Sequence, residues 1–320
     1  MNDAAPYAGL TPDVVLDAVG ACGLWPDGRL LALNSYENRV WQVGIERVGS
    51  EPTTPVIAKF YRPGRWSDAA IAEEHAFAQE LAAAELPVVA PLRFAAGTLL
   101  QHAGFRYALA PRRGGRAPEL ESAAQLQWLG RLIARMHVVG ARTSFAHRAS
   151  VDRATLVTQP VQAVLASSLL PTDLALNYRA AATRLDAAIA TRLAAIGPVR
   201  QLRLHGDCHP GNVLWTDLGP HFVDFDDAAT GPAVQDLWML AHDERAMAAL
   251  LDGYRQFRDF DDSELALIPA LRAMRQVHHA GWIAARWADP AFPAAFPFAA
   301  EARWWNQHVT DLHELAEGLA

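Results

Sequence analysis

The sequence is poor in several things, and each shortage narrows the possibilities. It has only two cysteines, Cys22 and Cys208. Two thiols so far apart in sequence are no disulfide framework, which points to a reducing compartment. No uncharged apolar run reaches the roughly 20 residues needed to span a bilayer. No basic stretch precedes an apolar one at the N-terminus, "MNDAAPYAGLTPDVVLDAV", so no secretory leader is expected. Basic residues are not in excess either: 28 Lys and Arg stand against 35 Asp and Glu, for a net charge of −7. That balance argues against a dedicated nucleic-acid binder, yet leaves room for an anion in a local basic pocket. Repeats, heptads and low-complexity tails are missing. The expectation is a cytoplasmic protein with neither a membrane nor a nucleic acid as partner.

What is present is a chain of 320 residues, half of them hydrophobic, with ten Trp. That is enough for one large domain or two modest lobes with real cores. Thr11-Pro12 reads as an N-cap followed by Pro in the first turn, opening a helix that ends near Gly20. "RLLALNSYENRVWQVGIE" spells two strands around a polar turn, Asn34 to Asn38. "TPVIAKFYR" is a third strand, and a helix starts at Ser67-Asp68 and runs to Ala84. "LPVVAPLRF", "TLLQHAG" and "FRYALAPR" read as further short strands. The Gly/Pro-rich "RRGGRAPE" then marks a boundary. Beyond it, residues 121–140, 153–167, 172–196, 232–250 and 262–288 carry helical apolar spacing. Short strands around Val213–Trp215 and His221–Val223 interrupt them. The expected fold is α+β and bilobal. A small β-rich N-lobe with one long helix, residues 1–111, sits on a larger helical C-lobe, residues 112–320.

The densest polar cluster is "RLHGDCHPGNVLW", Arg203 to Trp215. Within it, His205, Asp207 and Asn212 obey H-x-D-x-x-x-x-N, the spacing of a protein-kinase catalytic loop. Phosphoryl transfer explains the residue types. Asp207 would orient the attacking hydroxyl and accept its proton. Asn212 would offer a side-chain oxygen to Mg2+, a hard cation that prefers oxygen ligands. A second carboxylate should follow on a strand, and "FVDFDD" supplies Asp224 as a further Mg2+ ligand. Asp226 stands where D-F-G has its glycine. It is either a metal- or phosphate-side group or a turn residue.

Upstream, Lys59 sits inside an apolar strand, which costs desolvation unless the ammonium is paired. Contact with ATP phosphates and a Glu on the next helix would pair it. Glu73 and Glu74 are both candidates; Glu74 shares a helical face with Phe77 and Leu81 and is the choice. No G-x-G-x-x-G lies between the first two strands. "NSYENR" occupies that turn, where Ser35 and backbone N–H groups could meet phosphate oxygens.

Plainer readings apply to the neighbours. His205 braces the loop, His209 bonds nearby backbone, and Cys208 is a small loop residue. Arg112, Arg113 and Arg116 are a solvated face. Zinc bound by "HGDCH" fails for want of a second ligand group. Only "FDDAAT" separates Asp224 from Gly231-Pro232, which leaves no room for a switchable activation loop. Asp236 just beyond should be buried against the catalytic loop.

"HGDCHPGNVLW" together with "FVDFDDAATGPAVQDLW" resembles the aminoglycoside phosphotransferase-like kinases. "LNSYENRVWQ", "AKFYRPGRWS" and "LRAMRQVHHAGWIAARWADPAFP" are similar to a bacterial stress-response branch of them. The resemblance covers nearly the whole chain and is weakest over residues 141–200. It implies a protein-kinase-like fold and an ATP-dependent, Mg2+-requiring serine/threonine protein kinase, cytoplasmic and monomeric, that aids survival under envelope or oxidative stress. It also implies Ser35 as an ATP contact. A small-molecule hydroxyl kinase on the same scaffold is the alternative. A pseudokinase is disfavoured because no member of the catalytic set is missing.

Overall fold

The computed structural model describes residues 6–46 and 54–319. Residues 1–5, on which the absence of a leader was partly read, lie outside the described residues. The chain enters through α1 (Pro12–Gly20), whose N-terminus is capped by Thr11 Oγ1 accepting the Val14 N–H at 3.3 Å. Strands β1 (Pro26–Leu33), β2 (Arg39–Ile45) and β3 (Val56–Phe60) follow, then α2 (Asp68–Ala83), β4 (Leu100–His102) and β5 (Phe105–Pro111). They form an antiparallel sheet in the order β1-β2-β3-β5-β4.

Strand β3 alternates as a half-buried strand must. Val56, Ala58 and Phe60 face the core made with Val15 and Val19 of α1, so Lys59 points to the opposite side of the sheet. Helix α2 is capped by Ser67, whose hydroxyl accepts the Ala70 N–H at 3.1 Å. Its Phe77 and Leu81 are fully buried, and they belong to the large C-terminal core rather than to the sheet's core. Burying each side chain stabilises the junction by about 1.5–3 kcal/mol. The helix therefore couples the two lobes.

Residues 86–94 do not form the strand expected of them. Pro87 and Pro91 remove two ladder donors. The segment runs extended, with isolated bridges from Val88 to Phe222 and from Phe94 to Gly97 and a bond from the Leu92 N–H to the Leu109 carbonyl at 2.7 Å.

The C-terminal part contains α3 (Ala123–Gly140), α4 (Gln159–Ala166), α5 (Ala175–Ile196), β6 (Leu202–Leu204), β7 (Val213–Thr216), β8 (Gly219–Phe222), β9 (Ala229–Gly231), α6 (Glu244–Tyr254), α7 (Ile268–Ala285), α8 (Ala291–Ala295) and α9 (Ala302–Leu319). Strand β6 pairs with β9, and β7 with β8. Helices α3 and α6 cross at contact distance: a Cβ on Gly130 would lie 2.0 Å from the Leu250 carbonyl oxygen, and one on Gly253 2.0 Å from that of Gln127.

The helix expected over 232–250 is corrected. A 3-10 turn spans Ala233–Asp236, and regular helix resumes only at Glu244, capped by Asp243. The Val234 N–H donates to Glu264 Oε2 at 2.8 Å instead of to a helical carbonyl. Val234, Leu237 and Leu240 still reach the core, so the apolar spacing is satisfied without a helix. Among the described residues no helix is long and apolar enough to cross a membrane, and Cys22 and Cys208 are both unpaired. The architecture is the bilobal, kinase-like α+β fold.

Candidate active site

The loop between β6 and β7 is fixed from beneath. Asp236, fully buried, accepts the His205 N–H at 2.8 Å and the Gly206 N–H at 2.9 Å. His137 Nε2 donates to the same carboxylate at 3.1 Å, and burial keeps that imidazole neutral. Asp236 thus lies where the sequence reading put it. Gln235 Nε2 donates to the Gly206 carbonyl at 2.8 Å. Gly206 has φ +85°, and a Cβ there would sit 2.0 Å from the Asp227 carbonyl oxygen, so only glycine fits. His205 is buried; its Nε2 donates to the Val223 carbonyl at 2.9 Å and its ring packs on Phe225. It braces the loop.

Asp207 faces outward from this support. Arg275 Nη1, from α7, donates to its Oδ1 at 2.5 Å, and His209 Nε2 lies 3.4 Å from Oδ2. Burial would raise the Asp207 pKa, but His209 and Arg275 outweigh it and hold the carboxyl well below the usual range. Asn212 Nδ2 donates to the Asp207 carbonyl at 2.9 Å, which leaves its side-chain oxygen as the atom able to bind a cation. The Asn212 carbonyl accepts the Val223 N–H at 3.0 Å, which seats Asn212 beside the segment that carries Asp224. His209 Nδ1 accepts the Gly211 N–H at 3.0 Å, and Cys208 is buried in the core.

Asp224 is left-handed, with φ 59° and ψ 68°, and its side chain is 55% exposed. A non-glycine residue in that region is held there by its surroundings. Across the cleft, Lys59 Nζ lies 3.0 Å from Asp224 Oδ1, 3.2 Å from Asp226 Oδ1 and 3.8 Å from Glu74 Oε1. Burial opposes the Lys59 charge, but Asp224, Asp226 and Glu74 outweigh it and hold the pKa well above the ordinary lysine value. Glu74 is buried, and desolvation pushes its carboxyl up to about 7 despite Lys59. Glu73 faces elsewhere: it accepts the N–H groups of Ala146, His147 and Arg148 at 2.7, 2.8 and 3.1 Å.

Asp226 is not a turn residue at the surface. It is buried, pairs with Arg65, and accepts from Asn38 Nδ2 at 3.1 Å. Burial favours its neutral form, yet Arg65, Lys59 and Arg148 hold its pKa well below normal. Arg65 also reaches Asp227 at 2.5 Å. Arg148 Nε and Nη2 donate to the carbonyls of Ala228 and Asp226 at 2.8 and 2.5 Å, while its guanidinium lies over the Trp66 ring.

Ser35 lies in the turn between β1 and β2, half-buried, and among the described residues no hydrogen bond joins it to the Lys59 cluster. The rest of that turn is bolted to the far lobe. Glu37 accepts from Trp282 Nε1 at 2.6 Å and pairs with Arg286 at 2.5 Å and Arg62 at 2.9 Å. Arg39 and Arg62 both hold the buried Asp289, at 2.8 and 2.5 Å. Asn38, the last residue of the turn, ties it to the Lys59 cluster by donating to Asp226.

Sequence reading passed over several of these residues. Arg62 and Arg65 lie in "FYRPGRWS", directly after the Lys59 strand, and two arginines in a Pro/Gly loop were the available signal. Arg148, Asp289 and Arg275 have no local signal, because their partners are distant in sequence. Arg112, Arg113 and Arg116 are exposed.

Among the described residues no three His, Cys, Asp or Glu side chains converge as a metal group. Asn212 and Asp224 suit a cation that draws its remaining ligands from phosphate oxygens and water, as Mg2+ does.

The model of the phosphotransferase enzyme family matches residues 29–268. The chain is 41% identical to stress response kinase A of Escherichia coli K12, over 99% of this chain and 96% of that protein. It is 40% identical to the serine/threonine protein kinase RdoA of Salmonella typhimurium, over 98% and 95%. Among solved structures, an amicoumacin kinase in complex with AMP-PNP, Ca2+ and Ami superposes with a TM-score of 0.70 at 19% identity, covering 92% of this chain and 91% of that one. A microcompartment-associated aminopropanol kinase gives 0.63 at 19%, covering 95% and 94%.

Proposed function

The chain belongs to the phosphotransferase enzyme family, and from that premise we propose that it is an ATP-dependent protein kinase that phosphorylates serine or threonine hydroxyls. The observation that carries the reading is the convergence of Asp207, Asn212 and Asp224, on one braced unit, with Lys59 across the cleft. We take residues 1–111 as the lobe that holds the nucleotide and 112–320 as the lobe that holds the acceptor and the metal-binding side chains.

In this mechanism Asp207 orients the acceptor hydroxyl and takes its proton as the oxygen attacks the γ-phosphorus. The bond from that phosphorus to the bridging oxygen breaks, and ADP leaves with the electron pair. The depressed pKa of Asp207 keeps it ionised, so it acts mainly by orientation and late proton acceptance. Lys59 holds phosphate oxygens and is itself kept charged and aimed by Asp226, with Glu74 beside it at 3.8 Å. Asn212 and Asp224 would hold Mg2+, which neutralises charge on the phosphates when bound. The turn with Ser35 would cover the nucleotide.

The protein acceptor rests on the names of the relatives, and so does a role in stress response. The test is incubation with labelled ATP and Mg2+, first with a generic protein and then with a panel of amino alcohols. Label should enter protein serine or threonine, and Asp207→Ala should cut the rate by about 10²–10⁴-fold while nucleotide still binds. Fast label transfer to a free amino alcohol, with none entering protein, would overturn the reading in favour of a small-molecule kinase.

A further inference from the structure

The residue nearest to Asp207 from outside its own loop is Arg275, and the proposed mechanism gives it no task. Its guanidinium sits 2.5 Å from the oxygen that would receive the acceptor's proton, and its side chain is 45% exposed. Asp207 is its only anionic partner among the described residues. The nearby arginines are otherwise engaged: Arg65 with Asp226 and Asp227, Arg286 with Glu37. Arg275 is thus held by the one carboxylate that must be handed to the acceptor.

The helix that carries it has a one-sided charge. Over Ile268–Ala285, α7 bears Arg272, Arg275, His278 and His279, and no Asp or Glu. Arg272, Arg275 and His279 are exposed at spacings of three and four, which makes one stripe along the helix. Among the described residues Arg272 has no carboxylate partner, and it lies 5.8 Å over the Trp238 ring. Burial and neighbouring arginines push His278 down to about 4, and burial and Arg275 lower His279 too, so the charge on this face is that of Arg272 and Arg275. An acceptor that reaches Asp207 therefore meets the Arg275 guanidinium on α7. An ammonium-bearing substrate would be repelled there, because like charges at close quarters are unfavourable.

We propose that Arg275 is the acceptor-specificity residue, selecting hydroxyls that carry a carboxylate beside them, which in a protein means a serine or threonine flanked by Asp or Glu. This rests on the kinase reading above. The flanking carboxylate takes the guanidinium, and Arg275 releases Asp207 Oδ1 to the hydroxyl. Substrate binding and freeing of the base are then one event. A guanidinium suits this exchange, since its donors grip a carboxylate in two parallel bonds and keep their charge at any working pH.

The experiment compares three synthetic peptides with one central serine, flanked by Glu, by Ala or by Lys, using the full-length enzyme with labelled ATP and Mg2+. Wild type should favour the Glu peptide over the Lys peptide by about tenfold in kcat/KM, most of it in KM, as a partly exposed charge pair allows. Arg275→Glu should reverse the order, Arg275→Ala should flatten it, and Arg275→Lys should restore part of it. Melting curves establish that each variant is folded. Equal use of the three peptides by wild type overturns the inference and leaves the kinase reading standing. So does an Arg275→Ala variant that loses kcat equally on all three, which would make Arg275 a contact to the transferred phosphoryl group. Label found only on free small hydroxyl compounds overturns the kinase reading itself, and this inference falls with it.

Discussion

The carboxylate of Asp236 grips the backbone of His205 at 2.8 Å, thirty-one residues earlier in the chain, and holds the adjoining Gly206 with its other oxygen. This clamp fixes the start of the loop from which Asp207 projects. It needs no ligand and no modification to form, because Asp236 is wholly buried and His137 donates to it as well. Removing it by Asp236→Ala would leave buried donors without an acceptor, at about 1–3 kcal/mol for each group that water cannot reach. The variant should melt well below wild type and lose catalytic rate more than nucleotide affinity. Asp236→Asn, which keeps one acceptor oxygen, should fall between the two. Equal melting temperatures for all three proteins would show that the clamp carries no weight.

Asp224 carries the carboxylate proposed to bind the metal on a left-handed backbone. The αL conformation costs most L-residues about 1–2 kcal/mol, and Asn and Asp tolerate it best. Asp224→Asn and Asp224→Ala remove the same charge beside Lys59, but only the alanine adds strain. Asp224→Ala should therefore melt below Asp224→Asn. Both should lose the Mg2+-dependent part of nucleotide binding while metal-free binding changes little. A Mg2+ titration that matches wild type would remove Asp224 from the metal site.

Glu74 makes a prediction in pH. Burial raises its carboxyl from 4.5 to about 7, so the folded protein keeps this proton longer than the unfolded chain does. The stability gained that way is fully present below about 4.5 and is lost as pH rises through about 7. The melting-temperature advantage of wild type over Glu74→Gln should accordingly shrink between pH 4.5 and 7.5. A difference that is constant across that window, or that grows, would mean that Glu74 is an ordinary ionised partner of Lys59. Glu73 faces away from this cluster, its carboxylate accepting the backbone N–H groups of 146–148. At Glu74 activity should also suffer more than at Glu73.

Legibility in the sequence tracked the range of each interaction. The first helix, the three leading strands and the helix with Glu74 were readable, because capping and periodicity are local signals. The long segment 302–319 went unread although it is a helix, and the three-residue strands β6 and β9 are too short to show any period. Prolines hid the true state of 86–94, and an apolar spacing of 3.6 misled over 232–250, where the backbone donates to Glu264 instead of to itself. At the site, Asp207, Asn212 and Asp224 stood out because their spacing is fixed by a short loop and a strand pair. Arg65, Arg148 and Asp289 did not, since each finds its partner across the lobes. The open question of Asp226 could be answered only in three dimensions, where Arg65, Lys59 and Asn38 surround it.

The interval after Asp224 bears on regulation. In kinases switched by phosphorylation, the segment following the metal-binding Asp is loose until a phosphate pairs with arginines and orders it. Here that segment becomes β9 within five residues. Ala229 and Gly231 pair with Leu204 and Leu202 of β6, and Thr230, the sole hydroxyl in the interval, is bonded on its other side. The Thr230 N–H donates to the Ala149 carbonyl at 2.9 Å, and its own carbonyl accepts the Val151 N–H at 2.8 Å. Arg148, the cation closest in sequence to that pairing, already holds the carbonyls of Ala228 and Asp226. A strand paired on both edges has no loose state for a phosphate to order, and phosphorylation would instead need it to open. Protein treated with a phosphatase should keep its rate, and Thr230→Ala should stay within about twofold of wild type, as substitutions off the core and off the active side chains generally do. A large loss on dephosphorylation, recovered when phosphate returns to Thr230, would show that β9 opens and that the enzyme is switched after all.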